Sequence, residues 1–280
     1  MQHNNKITIL LNTCDAYSDV LKLFFAALNE YWPNNYYNIV INSEKNIYDE
    51  YNAITHTCSL NSCTWGKRLK STLQSIETEY VLMLFDDFIL EDFVRVEDII
   101  SAENLLSTNK EISVVYLMHT KLPLKEPDDQ NQFIELLSKC DFRLNSFPGL
   151  WRREHLMSYT GINDNPWAWE LFGSYRTFQD SRPFYSLNPK FSNIFPYNNE
   201  KGGAIYRGKW VREIVEHKIS KYSLDINTSI RGYSDTLVYE PRTLHWKLNF
   251  LLIGYKMIGV KVFEVIFRMI KSKYIAKKTN

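Results

Sequence analysis

VLMLFDDFIL, residues 81–90, runs five apolar residues into two adjacent aspartates with no turn former before them. A short continuous apolar run of this kind is the pattern of a strand buried on both faces, as in a parallel sheet. Adding the preceding tyrosine and stopping before the acids predicts a strand over Tyr80–Phe85. Adjacent carboxylates repel, and each raises the other's pKa unless a cation or hydrogen-bond donors compensate. Ligands of open α/β sheets sit beyond the carboxyl ends of the strands. Asp86 and Asp87 stand at such an end, and a divalent ion that shares oxygen ligands with phosphates would offset both charges. The alternative has one aspartate capping a turn and the other solvated.

Outward from this strand, strands and helices alternate through residue 117. Residues 7–11 read as a first strand. Asp15 is a candidate cap for the next helix, where Val20, Leu21, Phe24, Ala27, Leu28 and Tyr31 recur at helical spacing before Pro33 stops it. Residues 36–41 and 53–58 read as further strands, and 65–76 as a helix with Trp65, Leu69, Leu73 and Ile76 on one face. A helix over 94–106 and a strand over 112–117 follow. This alternation implies an α/β fold, a mostly parallel sheet with helices on both faces. Residues 121–132 read as a loop. Residues 140–206 are rich in Pro, Asn, Trp and Tyr, the composition of long loops that carry a site above an α/β sheet.

At 280 residues and 45% hydrophobic content the chain can bury a sizeable core in one large domain. A formal net charge of +1 gives no global field toward nucleic acid. The balance is uneven, however. Residues 244–280 hold eight Lys/Arg and one Glu, net +7, against 25 and 31 in the rest, net −6. Such a tail points to an anionic partner. It reads as helical, with Lys261, Glu264, Arg268 and Lys271 on one face. Its longest charge-free stretch, residues 248–255, falls far short of the ~20 apolar residues of a membrane span. The expectation is an amphipathic helix lying on an anionic membrane surface, with packing on the body or in a homodimer as alternatives. Cys14, Cys58, Cys63 and Cys140 lack zinc-ligand spacing and read as buried or idle thiols in a reducing compartment. The N-terminal MQHNNKITILLN has no basic region followed by a long apolar one. A cytoplasmic protein, peripheral on the inner face of the cell membrane, is therefore expected.

Around the acidic pair the chain resembles the GT-A glycosyltransferases, users of nucleotide-diphospho-sugars with a Rossmann-like N-terminal half. Phe85-Asp86-Asp87 matches their strand-end aspartate motif, and WGKRLKSTLQSIETEYVLMLFDD its helix–strand lead-in. ITILLNTCDAYSDVLKLF resembles the first strand and helix. NSFPGLWRREHL and NPWAWELFGS resemble acceptor-side segments of bacterial members that assemble capsule and O-antigen polysaccharides. The resemblance implies a mixed GT-A sheet over 1–243, with a nucleotide-sugar half (1–120) and an acceptor half (121–243), followed by the helical tail 244–280. It implies that Asp87 coordinates a divalent metal, Mn²⁺ or Mg²⁺, and that Asp86 contacts the sugar or ribose. Phe85 replaces the usual first acid, and metal-independent members share the fold, so both cases stay open. Thr13 and Asp15 would border the nucleotide. Lys67 and Arg68, or Arg207 and Lys209 in GAIYRGKW, would clamp the diphosphate.

Inverting transfer needs a general base for the acceptor hydroxyl. Glu170 is the first candidate, with Asp164 and Asp180 behind it. Apolar neighbours would raise the pKa of Glu170, and Trp151, Trp167 and Trp169 could pack on the acceptor sugar. The plain alternative is a surface glutamate on an amphipathic helix with core tryptophans. These features predict sugar transfer from a nucleotide-sugar donor to a hydroxyl of a lipid-linked glycan. Two rivals are a sugar nucleotidyltransferase, which the glycine-free LNTCDAYSDV disfavours, and a non-catalytic glycan-binding scaffold at the membrane. No HExxH, P-loop or G-x-S-x-G motif is present.

Overall fold

The computed structural model describes residues 6–58, 63–126, 130–200, 202–234 and 242–276, with side chains described to residue 270. Residues 127–129 of the expected loop, and the side chains of Lys271, Lys277 and Lys278 of the tail, lie outside the described residues.

The buried run Tyr80–Phe85 forms β4 of an eight-stranded sheet. The other strands are β1 (Ile7–Asn12), β2 (Asn38–Asn42), β3 (Ile54–His56), β5 (Val114–Tyr116), β6 (Phe133–Glu135), β7 (Gly149–Arg152) and β8 (Phe184–Leu187). Their order is β3-β2-β1-β4-β7-β5-β8-β6. The first four are mutually parallel. β7 then inserts antiparallel to both β4 and β5, and β6 lies antiparallel to β8. The sheet is therefore mixed, the GT-A arrangement that the resemblance implies, rather than mostly parallel. β7 and β8 come from the later part of the chain, so residues on both sides of position 120 build one sheet.

Side-chain alternation on β1 and β4 divides the core. Ile9, Leu11, Leu82 and Leu84 face one apolar cluster, filled by helices α1 (Ser18–Tyr31) and α3 (Val96–Thr108). Leu10, Val81 and Met83 face the other, filled by α2 (Trp65–Ser75) and α4 (Arg153–Tyr159). Each fully buried aliphatic or aromatic side chain of this kind contributes roughly 1.5–3 kcal/mol of transfer free energy.

Three expectations change. Asp15 does not cap α1, which begins after Tyr17 without a side-chain cap. Its carboxylate instead accepts from the Lys45 and Asn46 amides, both at 3.1 Å, in the turn after β2. Cys58 and Cys63 are not idle thiols but a disulfide, while Cys14 and Cys140 are free. The tail is two helices, Leu244–Ile258 and Val262–Ala276, broken at Gly259, whose φ of 62° favours glycine. The face that holds Lys261, Glu264 and Arg268 borders a groove of about 530 Å³ against the body. Tyr175 Oη donates to Glu264, and Arg268 pairs with Asp141.

Candidate active site

Register places the acids. Asn12 pairs with Asn42 on one side and Phe85 on the other, so β1, β2 and β4 end level. The next residues emerge together: Thr13 N–H donates to Asn42 O, and Asp86 N–H to Asn12 O, each at 3.2 Å. Thr13 Oγ1 then donates to Asp86 Oδ2 at 2.5 Å. Beneath them lies a buried amide network. Asn12 Oδ1 accepts from Asn42 Nδ2 (2.8 Å) and Trp65 Nε1 (3.1 Å), and Thr72 Oγ1 donates to Asn42. Satisfied buried networks fix one geometry, because a broken member leaves an orphan polar group. Reading for apolar periodicity alone missed it; paired asparagines at the ends of neighbouring strands were the available signal.

Burial pushes the Asp86 carboxyl well above the carboxylate range, with Asp87 repulsion next, while the Thr13 hydroxyl opposes both. Burial also lifts Asp87 to about 7. Asp87 keeps part of its own surface open although protein surrounds it densely. Among the described residues no lysine or arginine pairs with either acid. The backbone of residues 203–204 closes over Asp87. Ala204 N–H donates to Asp87 O at 2.8 Å, and a Cβ at Gly203 would lie 2.8 Å from Asp87 Oδ2. With φ at 131°, only glycine suits that position.

The donor set fits a metal in a limited way. No group of three or more His, Cys, Asp or Glu that could hold an ion occurs among the described residues. Asp86 is partly committed to Thr13, and Asp87 is the freer ligand. A carboxylate or two completed by substrate phosphates and water is the usual Mg²⁺ pattern.

Two cations sit near the pair. Arg68 is buried on α2, donates Nη1–H to Thr13 O at 3.2 Å, and leaves its Nε–H unpartnered. Arg231, which the sequence reading did not single out, lowers the pKa of both Asp86 and Tyr17. It pairs with Asp19, donates to Ala16 O and Gly208 O, and lies over the Tyr17 ring at 4.6 Å. It thereby ties the turn after β1 to the hairpin of the antiparallel strands Ile205–Tyr206 and Lys209–Val211, which follows Gly203 and Ala204 in the chain.

Glu170 is not a surface residue of an amphipathic helix. It lies in a single π-helical turn, Trp169–Gly173, of the kind enriched at functional sites. Its Oε1 accepts from the Ser146 amide (2.7 Å) and hydroxyl (2.6 Å). Burial raises its pKa and these two donors oppose the rise. Tyr197, buried and stacked on Phe88 at 4.3 Å, has its own pKa raised by burial and by both the Asp87 and Glu170 carboxylates. Asp87 and Glu170 therefore bear on one aromatic side chain.

Other candidates divide. Trp151 and Trp169 are each 0% exposed. Trp151 is enclosed by Tyr116, Phe184, Tyr159 and Trp169, and Trp169 Nε1 donates to Tyr159 O. Neither has a face open to a sugar, which corrects their expected role; Trp167, 63% exposed, does. Asp15, three residues past β1, is bound to the turn after β2. Lys67 lines a different groove with His56, Ser71 and Gln74, which none of the acidic pair lines. Arg207 lies over the Tyr206 ring at 5.4 Å, and Lys209 is exposed on Lys209–Val211, both in the hairpin that follows the 203–204 backbone closing over Asp87. Asp164 is spent on Arg176 at 2.5 Å and Asp180 on Arg182 at 2.5 Å, so neither is free to act as a base.

No protein-family profile matches the chain, and no curated protein does. Among solved structures, S. aureus TarS 1–349 is similar at 11% identity over 93% of this chain and 83% of that one, with a TM-score of 0.48. The galactosyltransferase LgtC, solved with donor and acceptor sugar analogs, is 15% identical over 54% and 59%, TM-score 0.34. A CMP:2-keto-3-deoxy-manno-octonic acid synthetase complexed with CTP is 10% identical over 65% and 89%, TM-score 0.41.

Proposed function

We propose that this protein is a glycosyltransferase that moves a sugar from a nucleotide-diphosphate donor to a hydroxyl of a lipid-linked glycan, with inversion. The setting we propose is bacterial surface polysaccharide synthesis at the inner face of the cell membrane. The observation that supports this reading best is the juxtaposition of two acidic centres of different character. An aspartate pair stands just past the level ends of β1 and β4, and Glu170, half-buried and in no ion pair among the described residues, acts together with Asp87 on Tyr197.

In this reading the diphosphate lies across the ends of β1 and β4, near Arg68 and Arg231. A divalent ion held by Asp87 would draw negative charge from the leaving diphosphate. Ser146 holds one oxygen of Glu170 through two hydrogen bonds, which leaves the other to receive a proton. The acceptor oxygen attacks the anomeric carbon as Glu170 takes its proton, and the bond to the diphosphate breaks. A raised pKa suits a base that works near neutrality. Trp167 offers an open indole face for the acceptor.

The tail supplies the membrane contact. On its first helix Leu244, Leu248, Leu252 and Tyr255 are exposed at helical spacing, and Phe263, Phe267 and Ile270 repeat this on the second. Lys247, Lys256 and Lys261 flank these stripes. An apolar stripe edged by lysines suits an anionic interface. No helix among the described residues is long and apolar enough to cross a membrane.

The test is calorimetry of UDP, GDP, CMP and dTDP with and without Mn²⁺, on wild type and Asp87→Ala. One nucleoside diphosphate should bind, more tightly with metal, and lose that gain in the variant. Absence of binding by all four would sink the reading.

A further inference from the structure

The tail does more than rest on the body. Ala168, Leu171 and Phe172 form a third apolar cluster with Val262 and Val265, separate from the two sheet cores. Phe172 lies two residues beyond Glu170 in the same π-turn and is fully buried. Its ring is 5.1 Å from that of Phe250. A Cβ at Gly254 would lie 2.6 Å from Phe172 Cζ and 2.7 Å from Val262 Cγ2. Phe172 is thus a pin lodged against both tail helices, and Gly254 is the socket, a place with no room for a methyl group.

The opposite side of the π-turn belongs to the site. Glu170 holds the Ser146 amide and hydroxyl, and Ser174 Oγ joins the Glu170 carbonyl to the Leu144 amide. One turn of backbone therefore has the tail beneath it and the Ser146 loop above it. Packed cores shift as units rather than deform freely, so a displaced pin displaces Glu170.

We infer that the tail hairpin is a positioning element of the active site, which sets the place of Glu170 through the Phe172–Gly254 joint. Its importance for catalysis rests on the reading of Glu170 as the base; the joint itself does not. Gly254 and Phe172 are positioning residues that touch no substrate.

The Ser146 amide is the reporter, because its proton is held by Glu170. Residue-resolved hydrogen exchange is measured on full-length wild type, Gly254→Ala, Phe172→Leu and the double variant. Gly254→Ala crowds the joint and should speed Ser146 exchange about tenfold, with β1 and β4 amides unchanged. The double variant, in which the smaller leucine makes room, should return toward wild type. Should Gly254→Ala fail to fold, Phe172→Leu carries the test, since it loosens the joint without crowding it. Faster exchange in the tail with Ser146 unmoved would overturn the inference, since the tail would then be an appendage.

Nucleoside-diphosphate release from UDP-, GDP- and dTDP-hexoses gives the second readout. Gly254→Ala should lower kcat by as much as ~100-fold with nucleotide affinity retained. The acid limb of its kcat profile should move down as water reaches Glu170, whose titratable neighbours are Tyr116 and Tyr197. Ser146 exchange that responds while Glu170→Gln keeps full turnover would uphold the joint and overturn the base assignment instead.

Discussion

Replacing Asp87 by asparagine should make the ligand-free protein more stable, and increasingly so as pH rises. Burial lifts the Asp87 carboxyl from 3.8 to about 7. The folded value lies above the unfolded one, so between these values the folded chain holds a proton that the unfolded chain has released. Stability from this group is complete below pH 3.8 and is lost as pH climbs to 7. The slope is about 1.4 kcal/mol per pH unit, so the loss is about 2 kcal/mol at pH 5 and levels off near 4 kcal/mol above pH 7. Asparagine does not ionise, and it also relieves the repulsion that Asp87 exerts on Asp86. For a chain of this length each kcal/mol moves Tm by about 2 °C. The Tm gap between Asp87→Asn and wild type should therefore widen by roughly 5 °C from pH 5 to pH 8. Differential scanning calorimetry in EDTA measures it. Saturating metal and nucleoside diphosphate should then narrow the gap, since ligand at 100 times its Kd adds about 2.7 kcal/mol to wild type and the variant lacks the metal-dependent part of that gain. A gap that stays flat across pH, or an asparagine variant that loses stability as pH rises, would refute the argument that these acids are held at a cost.

Glu170→Gln should lower kcat by about 10²–10⁴-fold while nucleotide affinity, read by calorimetry, stays at the wild-type value. Asp180→Asn should do the opposite. Its carboxyl is held down at about 2 chiefly by Arg182 against the cost of burial, so the variant should lose about 2 kcal/mol at pH 7, read by urea unfolding, and keep its turnover. The stability that Asp180 gives is present above pH 3.8 and disappears as pH falls toward 2, so acid unfolding of the variant should be shallower. Phe263→Glu with Phe267→Glu places charge on the exposed stripe without touching the Phe172 joint. Co-sedimentation with vesicles containing anionic lipid should fall to background, and unchanged binding would remove the membrane from the proposal.

The parts of the fold legible in the sequence were those that obey one period. Continuous apolar runs gave β1 and β4, and helical spacing gave α1 and α2, because burial on both sheet faces leaves no other economical pattern. The inserted β7 was not legible as a strand. Gly149–Arg152 is four residues long, and its direction is set by the partners on either side rather than by its own residues. The same limit applied to the tryptophans. Trp151 and Trp169 looked like sugar platforms from composition, yet an indole also packs edge-on against Phe184 or Tyr159, and only tertiary context tells which. Arg231 lies in a short exposed helix with no motif around it, and its nearness to Asp86 arises from packing across more than a hundred residues of chain.

The tail shows why charge counting and packing need to be read together. Its net +7 suggested an independent cationic strip, and eight consecutive uncharged residues suggested an interfacial helix. Both tail helices, however, are apolar on two sides. One side closes on Phe172, and the other stays open between lysines. A helix that needed only a membrane would be polar where it met the body. A helix that needed only the body would be polar where it met water. Apolar residues on both sides describe a layer between two partners, with glycine at the one position where the body's side chain intrudes. Deleting residues 244–280 is therefore a poor test of membrane binding, because it also bares the third core and frees the turn that holds Glu170. Substitutions on the open stripe separate the two roles that a deletion would merge.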